Sequence, residues 1–211
     1  MITPLTASVK KFNAIVRMNL LEKAMAVEGV LHELDDEIKK FQAWSSLGCK
    51  PGCGKCCTKP EIEATPLEFL PLAIHIWNSG KAGAWLDSFE TQSENKICLV
   101  LNPQQLGEGH CSEYIHRGLI CRLFGFSARL NKYNKKELLT CSIIKTEQSV
   151  NYQAAQAGIM GDSPVPLIGN FYSRMQYIDP ILANQFMPIN KAIQQSLELV
   201  TQYFTYRSQE V

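Results

Sequence analysis

The sequence predicts a mainly α, single globular helical domain with an irregular cysteine-rich core, on three observations. Apolar residues recur at three- and four-residue spacing toward both ends of the chain. Helix-start signals stand at Thr65-Pro66-Leu67-Glu68 and at Asp179-Pro180. Between these regions, Ser45 to Pro60 loses helical order around Gly48, Pro51, Gly52 and Gly54 while carrying four of the chain's eight cysteines.

Composition sets the class. At 211 residues the chain is long enough for one domain with a sizeable core. With 45% hydrophobic and 19% charged residues it lies outside the regime of disorder. A net charge of +1 lacks the basic bias of a nucleic-acid binder. No apolar run approaches the roughly 18 residues of a membrane span, and Met1 to Lys11 lacks the apolar core of a secretory signal. The expectation is a cytoplasmic protein with no nucleic-acid or membrane partner. One domain is expected over 1–211, divided into an N-terminal helical segment (7–44), a cysteine-cluster core (47–145) and a C-terminal helical segment (146–211).

In chain order, Phe12, Ile15, Val16, Val27, Val30, Leu31, Leu34, Ile38 and Phe41 predict an amphipathic helix, or two in series, from Ala7 to Trp44. Glu33, Asp35, Asp36, Glu37, Lys39 and Lys40 form its solvated face. Ser45 to Pro60 is a tight loop. Thr65 caps the next helix, with Pro66 in its first turn and Glu68 reaching back to the cap amide. That helix points Leu70, Ile74 and Trp77 inward and stops at Ser79-Gly80. Asn102-Pro103 and Gly107-Glu108-Gly109 mark turns, and the short apolar runs Ile97 to Leu101 and Leu119 to Phe126 fit strands or helical turns equally. Glu147 to Ala157 reads as helix ending near Gly158, and Met160 to Pro166 as loop. Asp179-Pro180 caps a short helix, and Ile189, Ile193, Leu197, Val200 and Phe204 line a last helix as core packing.

Cys49-Lys50-Pro51-Gly52-Cys53-Gly54-Lys55-Cys56-Cys57 is the chemical centre of this pattern. Backbone that curls around an ion needs Gly or Pro, so that amide N–H groups aim at the thiolates. Spacings of three and two let Cys49, Cys53 and Cys56 converge, whereas Cys57 projects toward another atom; two sites or one larger cluster follow. Cys98, Cys111, Cys121 and Cys141 supply four more thiols. Thiolate-only donors select zinc or iron–sulfur clusters over magnesium, calcium or manganese. Four thiolates around zinc or a cubane leave a formal charge of about −2. Lys50, Lys55, Lys59, Arg117 and Arg122 stand near the cysteines in sequence, as solvated surface charge or as groups tuning that site.

Other patterns fit less well. A disulfide framework is disfavoured in the reducing cytosol and by the vicinal Cys56-Cys57 pair. The C-x3-C-x2-C spacing of radical S-adenosylmethionine enzymes appears, but Lys55 stands where those carry an aromatic residue, and alternating strands and helices are missing. His110 and His116 are alternate zinc ligands; His75 reads as structural. Gly158-Ile159-Met160-Gly161-Asp162 lacks a preceding strand and reads as loop, so no methyl-donor site is visible.

These residues resemble the YkgJ-type cysteine-cluster family, a zinc- or iron-chelating domain written C-x2-C-x2-C-C. The resemblance rests on Cys49 and Cys53-Gly54-Lys55-Cys56-Cys57, then on Gly109-His110-Cys111, Tyr114, Arg117 and Cys121-Arg122-Leu123-Phe124. It covers roughly Leu47 to Cys141. The first gap is three residues instead of two, which alters the loop around Cys49, and the usual Arg-Pro is Arg117-Gly118. The resemblance implies metal binding. A related cluster occurs in flagellin lysine N-methylase, which extends the implication to modification of a protein substrate. The eight cysteines are the expected ligands, with an iron–sulfur cluster (4Fe-4S) favoured over zinc as cofactor. A zinc-stabilised adaptor and a thiol–disulfide redox protein are the alternative functions.

Overall fold

The computed structural model describes residues 18–92, 97–105, 108–161 and 163–207. The part of the first expected helix before Met18, with Phe12, Ile15 and Val16, lies outside the described residues, as do Gly107 and Asp162. The fold is mainly helical: α1 (Leu20–Ser45), α2 (Leu70–Asn78), α3 (Ala82–Thr91), α4 (Leu119–Leu123), α5 (Ser142–Glu147), α6 (Ser149–Gly158), α7 (Ile168–Ile178) and α8 (Ile189–Arg207). Among the described residues, strand is confined to three antiparallel pairs. These are β1 (Glu63–Ala64) with β6 (Met187–Pro188), β2 (Leu101–Gln105) with β3 (Glu108–Cys111), and β4 (Ser127–Leu130) with β5 (Lys136–Leu139).

α1 begins where Asn19 accepts from the amides of Leu21 and Glu22 while Glu22 Oε2 accepts from the Asn19 amide, a reciprocal cap. Its face of Ala24, Val27, Val30, Leu31, Leu34, Ile38 and Phe41 is buried, as the spacing predicts. α2 is preceded by a 3-10 turn, Pro66–Phe69, in which Glu68 Oε1 accepts from the Thr65 amide at 2.8 Å. The helix ends at Gly80, whose φ of +70° suits a residue without Cβ. Leu70, Leu72, Ala73 and Ile76 are its deepest residues, and Ile74 and Trp77 are only half-buried. Trp77 instead stacks on Phe204 of α8 at 5.4 Å.

Among the described residues two apolar cores result. The larger joins α1, α2, α7 and α8, with Leu34, Leu70, Phe171, Met175 and Leu197 inside. The smaller holds Phe41 at the end of α1 against Leu138, Ile144, Ala155 and Ile159. Several expectations shift. Asn102 and Pro103 lie in a strand, since the chain pairs back on Gly109 and His110. Leu119 to Leu123 is helical, and the helix expected over Glu147 to Ala157 is α6, which follows the short α5 after a break at Gln148. α3, α5 and α7 go beyond the helices expected from the sequence. Asp179 does cap the short turn Leu182–Asn184, its Oδ1 accepting from the Ile181 and Leu182 amides.

Candidate metal centre

The cysteine loop is fastened on two sides. On one, Gly48 exchanges hydrogen bonds with the Gln148 side chain (3.0 and 2.6 Å), and Lys50 pairs with Glu147 at 2.7 Å. This sets Cys49 beside Cys141, the residue that caps α5. On the other, the Gly109 amide donates to the Gly52 carbonyl and the Cys98 amide to the Cys57 carbonyl (3.3 and 3.1 Å). Gly54 is pressed so closely to the β2–β3 hairpin that a Cβ there meets Leu101 Cδ1 at 2.6 Å and the Gly109 oxygen at 2.9 Å. Gly52, at φ +72°, turns the chain between the two attachments.

Electrostatics sort the thiols. Burial, then repulsion from Cys53, Cys141 and Cys56, pushes Cys49 up to about 11. Cys57 is raised by its hydrogen bond to Cys56 and by burial, with Cys98 and Cys121 among its neighbours. Burial raises Cys98 to about 11 and Cys121 well above the thiol range; both feel Cys111. Repulsion thus links Cys49 with Cys53 and Cys141 on one side, and Cys57, Cys98, Cys111 and Cys121 with one another on the other, while Cys56 acts on Cys49 and also on Cys98 and Cys111. Cys56 lies between them. The Cys57 hydrogen bond lowers Cys56 to about 6, helped by its own and the Cys57 amide and by Arg117. The two groups also meet different cores: Cys141 packs against the smaller, and Cys57, Cys98, Cys111 and Cys121 against the larger.

The donor set fits a soft metal. The Val100 and Leu101 amides reach Cys98, the Glu113 amide reaches Cys111, and the Ile144 amide donates to Cys141 Sγ at 3.4 Å. Turns that aim amides at sulfur favour the thiolate, the form that binds metal. Residues 48–146 match the CxxCxxCC family. Its description is "Putative zinc- or iron-chelating domain". The CxxCxxCC segment, a little under half of the chain, carries all eight cysteines, and the match supports metal binding by this segment. No curated protein and no solved structure matches the chain.

Of the nearby cations, Arg117 lies over the Tyr114 ring at 3.6 Å and its charge favours the thiolates of Cys56 and Cys111. Arg122 is not surface charge: it is 6% exposed, donates to the carbonyls of Arg117 and Ile115, and pairs with Asp35 of α1. Lys50 and Lys59 make exposed ion pairs. His110 sits in β3 opposite Asn102. His116 stacks on His75, with ring centroids 4.1 Å apart, a contact that the sequence does not signal. Glu68 does more than the cap that the sequence marks. It is fully buried, its Oε2 accepts from the Ile120 amide at 2.8 Å, and it thereby ties the start of α2 to the turn of α4 that carries Cys121.

Proposed function

We propose that the chain is an iron–sulfur protein. Cys49, Cys53, Cys56 and Cys141 form one ligand set, and Cys57, Cys98, Cys111 and Cys121 a second. The carrying observation is the set of main-chain amides aimed at thiols that the fold gathers from separate elements: the Val100 and Leu101 amides reach Cys98, the Glu113 amide reaches Cys111 and the Ile144 amide donates to Cys141 Sγ. Thiolate-only donors take zinc or an iron–sulfur cluster. Hydrogen bonds to the sulfurs are one of the means by which a protein tunes a cluster's potential. The vicinal Cys56-Cys57 pair joins the two sets, so the sites are neighbours within one domain spanning the chain.

Such a centre suits redox chemistry or the modification of a protein side chain, in a reducing compartment such as the cytosol that keeps the thiols available. The exposed side of the centre, at Cys49, is where a partner gains access. Anaerobic purification, metal and sulfide analysis and a visible spectrum test this reading. The expected product is brown, with iron and acid-labile sulfide, and Cys56→Ser and Cys57→Ser each lower the iron content. Colourless protein with about two zinc ions overturns the cluster in favour of a zinc adaptor. Metal-free protein with paired oxidised thiols points to thiol–disulfide exchange.

A further inference from the structure

We propose that His75, Glu113 and His116 form a separate site for a divalent transition-metal ion of the zinc or iron(II) class. The three ligand atoms all lie within 4.8 Å of one another, among the described residues the one such group of histidine, cysteine or carboxylate ligands. His75 Nε2 is 3.5 Å and His116 Nδ1 3.6 Å from the same oxygen, Glu113 Oε2. Those separations are long for hydrogen bonds. They match the edge of a coordination tetrahedron instead: metal–nitrogen bonds of about 2.0–2.1 Å set neighbouring ligands about 3.4 Å apart. The imidazoles stack at 4.1 Å with 20° between their planes, so their nitrogens reach the carboxylate side by side.

The fold holds this arrangement from two directions. His75 comes from α2, whereas Glu113 and His116 bracket the 3-10 turn Tyr114–His116. In a 3-10 turn, side chains three apart eclipse, which brings the carboxylate and imidazole together. Arg122 locks the turn through the carbonyls of Ile115 and Arg117 and its pair with Asp35. The side chains remain partly open, with exposures of 46%, 23% and 27% for His75, Glu113 and His116, so an ion can enter. Burial and then repulsion from His75 hold His116 below its ordinary value, while the Glu113 and Glu28 carboxylates act the other way.

Two imidazoles and one carboxylate suit zinc, iron, nickel or copper rather than magnesium or calcium, and three protein ligands leave coordination positions for water or a substrate. The site contains no cysteine and does not depend on which metal the thiols hold.

The test is zinc titration of the full chain after its thiol centre is loaded, followed by metal counting. Wild-type protein is expected to take up one zinc ion beyond the thiol-held metal at micromolar free zinc. His75→Gln and Glu113→Gln are each expected to weaken that uptake at least tenfold while leaving thiol-held metal at the wild-type level. Absence of extra uptake by wild type, or uptake by both variants as tight as that of wild type, overturns the site. Because His75 is half exposed, its substitution leaves the fold intact; if Glu113→Gln disturbs the turn, wild type and His75→Gln decide between them. The count is taken above the thiol-held baseline, so a thiol centre filled with zinc rather than iron moves the baseline and leaves the extra ion equally countable.

Discussion

In α1 from Ala24 to Phe41 and in α8 from Ile189 to Val200 successive turns bury apolar residues, and helices from distant parts of the chain meet over one core: Leu34, Leu70, Phe171, Met175 and Leu197 are all buried. The pieces that carry the thiols are of another kind. They hold a five-residue helix (α4), the 3-10 turn Lys55–Thr58 and the β2–β3 hairpin, and Cys49 is exposed at their edge. A two-stranded hairpin or a single helical turn is marginal by itself. The helical body can therefore stand on apolar burial, which is roughly 25 cal/mol per Å², whereas the thiol-bearing pieces need cross-links through hydrogen bonds and metal.

Substitutions in the two regions sharpen that contrast, the largest first. Leu197→Ala in the body is expected to lower the unfolding free energy by about 2–5 kcal/mol while metal per folded chain stays constant. Chemical denaturation with metal analysis of the folded fraction checks both halves of that expectation. Ile144→Ala lies in the smaller core, and its amide donates to Cys141. It is expected to cost less than Leu197→Ala because the smaller core buries far fewer residues around it, but to reduce the metal held by loosening the packing that fixes the start of α5 beside Cys141; equal metal content in both variants removes the distinction.

Glu68→Gln tests the joint between the regions and is expected to cost about 1–3 kcal/mol, because an amide cannot accept at both ends. Burial raises Glu68 from 4.5 to about 6. The folded state thus binds the proton more tightly than the unfolded chain. The contribution is complete below pH 4.5 and is lost as pH rises through about 6. The difference in unfolding free energy between wild type and Glu68→Gln, followed from pH 4 to 7, should fall across that window; a flat difference assigns the slope to other groups. Asn19→Ala, at the far end of α1, is expected to cost about 1 kcal/mol with no effect on metal.

The same contrast governs what the sequence reveals. α1 and α8 are legible because a repeating apolar face dictates burial, and the Thr65–Glu68 cap because its chemistry is local. α7 carries a signal too, Phe171, Met175 and Ile178 at spacings of four and three. The hairpins are hidden because Pro103 and the glycines near 108 resemble turns, and their pairing depends on contacts across the chain. The cysteine run is visible at once, and the separation of Cys57 from Cys49 and Cys53 follows from its adjacent position. Which later thiol joins which group is not visible, since Cys141 reaches Cys49 only through the Gln148 and Glu147 contacts. Glu113 and His116 carry an i, i+3 spacing that is there to be read. His75, 38 residues upstream of Glu113, enters only through the packing of α2.

Hydrogen exchange with and without bound metal tests the contrast most directly. After chelation under reducing conditions, the amides of Cys57, Cys98, Leu101 and Ile144, which bond within or between the thiol-bearing pieces, should lose protection, while those of α1, α2 and α8 keep theirs. Equal loss across both regions, or protection unchanged in the thiol-bearing pieces, contradicts the account.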